Sequence, residues 1–110
     1  MSFFNSEQVQ ENLQDIFHTY QQVASMTSKL ASMNTKEKLD HIDDCKTLID
    51  KQRNFYFRLT LAASEDPEAA DMKTRINALT HAFGYKDLME CMDAMVMTLE
   101  QAAQRELDQP

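Results

Sequence analysis

The sequence predicts an all-α fold, a four-helix up-down bundle, and three observations carry that expectation. Apolar residues recur at spacings of three and four along four separate segments, as amphipathic helices require. One glycine and two prolines leave few places where the chain is made to turn. No stretch alternates apolar and polar residues in the manner of a half-buried strand. With 43% hydrophobic residues, 110 residues suffice for one real core. The chain therefore reads as a single helical domain over residues 1–110, with helices at about 6–32, 35–63, 67–83 and 87–106.

Start and stop signals stand at each junction. At "FFNSEQV", Asn5 is placed to cap the first helix, Gln8 to reach back as the partner of a capping box, and Phe4 to staple onto Val9. Val9, Leu13, Ile16, Phe17, Tyr20, Val23, Ala24, Thr27, Leu30 and Ala31 then keep to one face. A second capping box, Asn34 with Glu37, opens a helix that runs through Ile42, Cys45, Leu48, Ile49, Phe55, Tyr56 and Leu59. "SEDPEAA" ends it and starts a third, with Asp66 as N-cap, Pro67 at the first helical position and Glu68 complementing the helix dipole. Met72, Ile76, Leu79 and Phe83 form the stripe of that helix, and Gly84 sits where a left-handed C-cap is wanted. The fourth starts near Asp87, with Glu90 three residues on. It follows Leu88, Met92, Met95, Val96, Leu99, Ala102 and Ala103 to a polar tail, "QRELDQP".

Lengths add a constraint. The first two helices, at some 27 residues each, are each about 40 Å long. A compact domain of this size has a radius of gyration of about 13 Å, hence a diameter of roughly 34 Å. The long hairpin is therefore expected to overshoot its own domain. Helices 3 and 4 begin at its base, so the turn at residues 33–35 is expected to be poorly covered. Met26, Leu30, Met33 and Leu39 gather near that end and become candidate partner contacts.

One stretch of the second helix asks its own question. Phe55, Tyr56 and Phe57 stand in a row, and three consecutive helical residues fan out over about 200°, more than one stripe needs. Phe55 and Tyr56 fall on the arc of Cys45, Leu48, Ile49 and Leu59. Phe57 lies about 100° further round, stacked with Leu61 among Asp50, Arg53 and Asn54. The first two are expected in the core. Phe57 and Leu61 form a separate patch, either a partner site or a surface covered by Phe3 and Phe4.

Charge narrows the function classes. The net charge is −7, and residues 64–110 hold four basic against ten acidic side chains. Such a chain repels phosphate backbones, so no nucleic-acid partner is expected; Lys51, Arg53 and Arg58 read as solvated helix-face charges. Two cysteines make no disulfide framework. No basic leader region precedes Lys29, and no run of about 18 apolar residues exists, so the expected setting is cytoplasmic, with no membrane partner.

Chemistry finds little support. The serines, three histidines and two cysteines are scattered, and neither a glycine-rich phosphate loop nor a nucleophile elbow is present, so no catalytic residues and no cofactor are expected. His41 and Cys45, four apart on one helix face, could be joined by Cys91 from helix 4 as a metal or redox cluster. That falls short of a closed zinc site, and a buried histidine beside a buried free thiol is the plainer reading. Helix 4 carries Met89, Met92, Met95 and Met97; the first three read as core or its margin, while Met97 points outward as an interface candidate.

The stretches "SFFNSEQVQ", "KEKLDHID", "LIDKQRNFYFRLTL" and "SEDPEAADMK" together resemble a family of small proteins from cyanobacteria and their phages, a domain of unknown function of about this length. The resemblance covers most of the chain and is weakest over helix 4. It implies a cytoplasmic helical protein of cyanobacterial or cyanophage origin and carries no site residues. The expected function is a non-enzymatic protein–protein interaction module, a homodimer that acts as adaptor or regulator of a host protein complex. The alternative is a metal- or redox-responsive protein using His41, Cys45 and Cys91.

Overall fold

A computed structural model describes residues 2–108 of the chain. Met1, Gln109 and Pro110, which the single-domain span and the polar tail include, lie outside the described residues. The fold is all-α: α1 (Glu7–Thr27), α2 (Thr35–Ala62), α3 (Pro67–Ala82) and α4 (Leu88–Asp108), with short 3-10 turns at Phe3–Asn5 and Leu30–Ser32. None of these helices is long and apolar enough to cross a membrane.

Local chemistry sets most of the ends. Asn34 accepts from the Glu37 N–H at 2.9 Å while the Glu37 carboxylate accepts from the Asn34 N–H, closing the capping box of α2. Asp66 caps α3 through the Glu68 N–H, with Pro67 in the first turn. At the other end of α3, Gly84 N–H bonds to the His81 carbonyl and Tyr85 N–H to the Thr80 carbonyl. That double closure needs a left-handed residue, and Gly84 supplies it at φ 91°.

Two ends differ from expectation. Ser6, not Asn5, stands at the N-cap of α1, and its side chain makes no cap bond. Asn5 is consumed in the 3-10 turn that folds Phe3 and Phe4 back onto the protein. Helix α1 also stops at Thr27, short of residue 32. In "SMTSKLAS" the hydroxyls of Thr27, Ser28 and Ser32 bond to the carbonyls of Val23, Ser25 and Lys29, competing with the helical ladder.

The four helices are organised around α2, which packs against each of the other three. Lys51 reaches Asp15 and Thr19 and so ties α1 antiparallel to α2. On the other flank, Arg53–Asp93, Lys46–Glu100 and Lys38–Glu106 fix α4 antiparallel to α2 along nearly its whole length. At the base, fully buried Leu59 packs with Tyr56 and Ala69, and Phe3, Phe4, Ile76, Leu88 and Met89 close around them. The molecule measures 52 × 30 × 18 Å with a radius of gyration of 16.2 Å. That exceeds the roughly 13 Å of a compact domain of this length. It is elongated and flat because α1 and α4 flank α2 without closing on each other.

The hairpin turn is better covered than its sequence suggests. Leu88 and Met89, at the start of α4, pack on the base, and α4 runs back from there to the turn. There Glu106 accepts from the Thr35 hydroxyl and pairs with Lys38. Met33 is buried, at 7% exposure, which removes it from the candidate contacts.

Candidate functional site

Because α1 and α4 stay apart, α2 is left visible between them as the floor of a groove. Its upper part, about 460 Å³, is lined by Tyr20 and Val23 of α1, Cys45, Leu48, Ile49 and Gln52 of α2, Tyr85, and Ala94, Met95, Thr98 and Leu99 of α4. No formally charged side chain is among them. Beyond Cys45 and Leu99 the groove continues into a wider section of about 780 Å³ toward the hairpin turn, past Thr27, Leu30, Ala31, His41, Ile42 and Ala102. The salt-bridged Lys38 and Glu106 mark its far end.

The walls carry apolar side chains that nothing covers. Tyr20 is 56% exposed and Met95 44%. Leu13 and Phe17, on the same stripe of α1 as Tyr20, are exposed too, Phe17 at 61%. Taken at 100° per residue, the arc of α1 from Thr19 to Phe17 is about 160° wide. Only the half carrying Val9, Ile16, Thr19 and Val23 is turned to the interior. The arc was visible in the sequence; which half of it would stay uncovered was not. The residues that sequence reasoning assigned to the core and the structure places on the groove are Tyr20, Met95 and Leu99, with Phe17 and Leu13 beside them. Their signal is the run Ile16–Ser28, thirteen residues without one Asp, Glu, Lys or Arg.

The other candidates separate cleanly. Phe57 and Leu61 are exposed, at 60% and 64%, on α2 away from the groove. Phe3 and Phe4 do not cover them. Phe3 stacks edge-on against Phe4 and lies 5.7 Å from the Phe55 ring, on the side of the Tyr56–Leu59 core. Of the hairpin-end group, Leu30 is exposed and lines the groove, while Met26 and Leu39 are half-buried. Met97 is exposed but outside the groove lining. Helix α3 brings a surprise: Met72, Leu79 and Phe83, expected as its core stripe, face solvent, because α3 seats itself through Ala69, Ile76 and Thr80 instead.

His41 and Cys45 do meet, at 3.8 Å, with the imidazole Nε2 also 3.1 Å from the Thr27 hydroxyl oxygen. Thr27 donates its own proton to the Val23 carbonyl, so Nε2–H is the natural donor in that pair and Nδ1 is left buried without a partner. Burial, helped by the negative charge of Asp44, pushes the Cys45 thiol above its ordinary value, which favours the protonated form. Cys91 does not join them. The ion pairs place it two residues from Asp93, opposite the lower half of α2, some ten residues or about 15 Å from Cys45. Among the described residues no three His, Cys, Asp or Glu side chains gather where they could hold a metal ion. The proposed three-residue cluster is therefore not assembled.

The N-terminal segment is held by one carboxylate. Asp66 accepts the N–H of Phe3 as well as that of Glu68, and Ser2 bonds to Glu68. The Phe3 N–H, ahead of those of Glu68 and Ala69, holds the Asp66 carboxyl below the usual carboxylate range.

The family model of a domain of unknown function, DUF1825, matches residues 1–106, nearly the whole chain. The chain belongs to that family. No curated protein and no solved structure matches it significantly. The family match spans all four helices and both walls of the groove, so the groove belongs to the part of the chain that the family model describes.

Proposed function

We propose that this chain is a non-enzymatic protein–protein interaction module, an adaptor or regulator of a protein complex in a cyanobacterial host. The observation that carries the reading is the uncovered apolar groove between α1 and α4. A soluble helix pair normally buries such a stripe, and contiguous exposed apolar surface marks interaction sites. An amphipathic helix laid into an apolar groove is a recurring recognition mode. Its aromatic and methionine side chains suit the work: aromatics anchor interfaces, and methionine adapts to irregular partners. The cytoplasmic setting belongs to the same proposal.

Capture of partners from cyanobacterial lysate tests it. Wild type is compared with Met95→Glu, which puts a charge on the groove wall, and with Phe57→Glu, which charges the patch on the opposite part of α2. Partners that are kept by Phe57→Glu and lost by Met95→Glu support the groove as the docking face. Partners lost only with Phe57→Glu would move the site to that patch, and turnover of a small molecule by the purified chain would overturn the non-enzymatic reading.

A further inference from the structure

Resting on the interaction-module reading, the geometry points to the occupant of the groove: a second copy of this chain, inserting its own α1. Tyr20 of α1 stands on the rim of the same groove that α1 would fill, and Leu13 and Phe17 are exposed on the same stripe beside it. A two-fold axis beside α1 therefore brings guest and host surfaces together twice, the self-complementarity that an isologous dimer needs. Each inserted helix completes a four-helix core of α1, α2 and α4 with the partner's α1.

The charge pattern suits a second copy. Each copy carries −7, so two copies meet most readily across a surface free of charge. The upper groove lining holds no formally charged residue, and neither does α1 from Ile16 to Thr27. Area agrees. The groove follows α2 from Gln52 to Lys38, about 21 Å, and a helix about 10 Å across turns roughly 330 Å² toward it. Since each copy is guest and host, about 650 Å² is buried per copy, inside the roughly 600–1,000 Å² of a standard interface.

Sedimentation equilibrium on the purified full chain tests this, with far-UV circular dichroism as the check on folding. Wild type is expected at about twice the monomer mass of 12.7 kDa. Phe17→Glu, at an exposed position, keeps its helicity and weakens the dimer at least about 30-fold. Met95→Lys, on the opposite wall, does the same and serves if Phe17→Glu fails to fold. Phe57→Glu leaves the dimer intact. Added salt tightens the dimer by screening two acidic copies from each other. A wild type that stays monomeric overturns the second copy as occupant without touching the groove, which the lysate comparison judges separately. A dimer that survives both groove variants, is broken by Phe57→Glu, or weakens with salt also overturns it.

Discussion

Leu59→Ala and Phe57→Ser should separate core from surface within three residues of one helix. Leu59 is 0% exposed, enclosed by Tyr56, Ala69, Phe3, Phe4, Ile76, Leu88 and Met89, contributed by four separate parts of the chain. Truncation removes three carbons from a site whose walls are anchored independently, so it collapses poorly. The cost falls in the upper part of the 2–5 kcal/mol range for such changes, about 3–4 kcal/mol. A domain of this length has roughly 5–15 kcal/mol in all. The melting temperature should fall by at least about 10 °C. Phe57, 60% exposed, sits two residues away on another face of the helix and should change stability by no more than about 0.5 kcal/mol on conversion to serine. The assay is urea unfolding followed by circular dichroism at one fixed protein concentration, since dimerisation would add to apparent stability. If the two variants unfold at the same urea concentration, Phe57 is interior and the assignment of this face is wrong.

Thr27→Val keeps the shape of the side chain but removes the oxygen facing His41, and should cost about 1–3 kcal/mol in the same urea experiment. Gly84→Ala meets no atom within 4 Å, yet it forces a Cβ onto a backbone at φ 91°. It should cost about 1 kcal/mol, with Gly84→Asn milder, read as a shift in melting temperature. The Asp66 contribution is full above the ordinary aspartate value of about 3.9 and is lost as pH falls through the lower folded value. Hydrogen exchange at the Phe3 amide should therefore stay protected at neutral pH and open on acidification, and Asp66→Asn should remove that pH dependence.

Much of the fold was legible because its signals are local. The capping box at Asn34 and Glu37, the Asp66–Pro67 start and the Gly84 stop depend on residues within a few positions of one another. The core status of Tyr56 and the separation of Phe57 from it followed from 100° of helical rotation, whereas whether Phe3 and Phe4 cover Phe57 did not. What failed depends on tertiary placement. A helical wheel gives the apolar arc of α1 but not which half α2 will take, so Phe17 and Tyr20 read as core. It likewise gave α3 the stripe Met72–Ile76–Leu79–Phe83, of which only Ile76 packs inward, beside the fully buried Ala69. Cys91 sat at a plausible helical phase but ten residues out of register, and register along antiparallel helices was set by ion pairs that no single segment contains.

The groove itself can be tested with the methionines already in the chain. Methionine oxidation by dilute peroxide, read by mass spectrometry, reports the exposure of each sulfur. Met33 and Met92 are buried and serve as slow controls, Met97 is exposed outside the groove, and Met95 stands on its wall. As partner or a second copy fills the groove, Met95 should become protected while Met97 keeps its rate and the two buried residues stay slow. Protection of Met97 with Met95 unchanged would contradict the groove as the docking face.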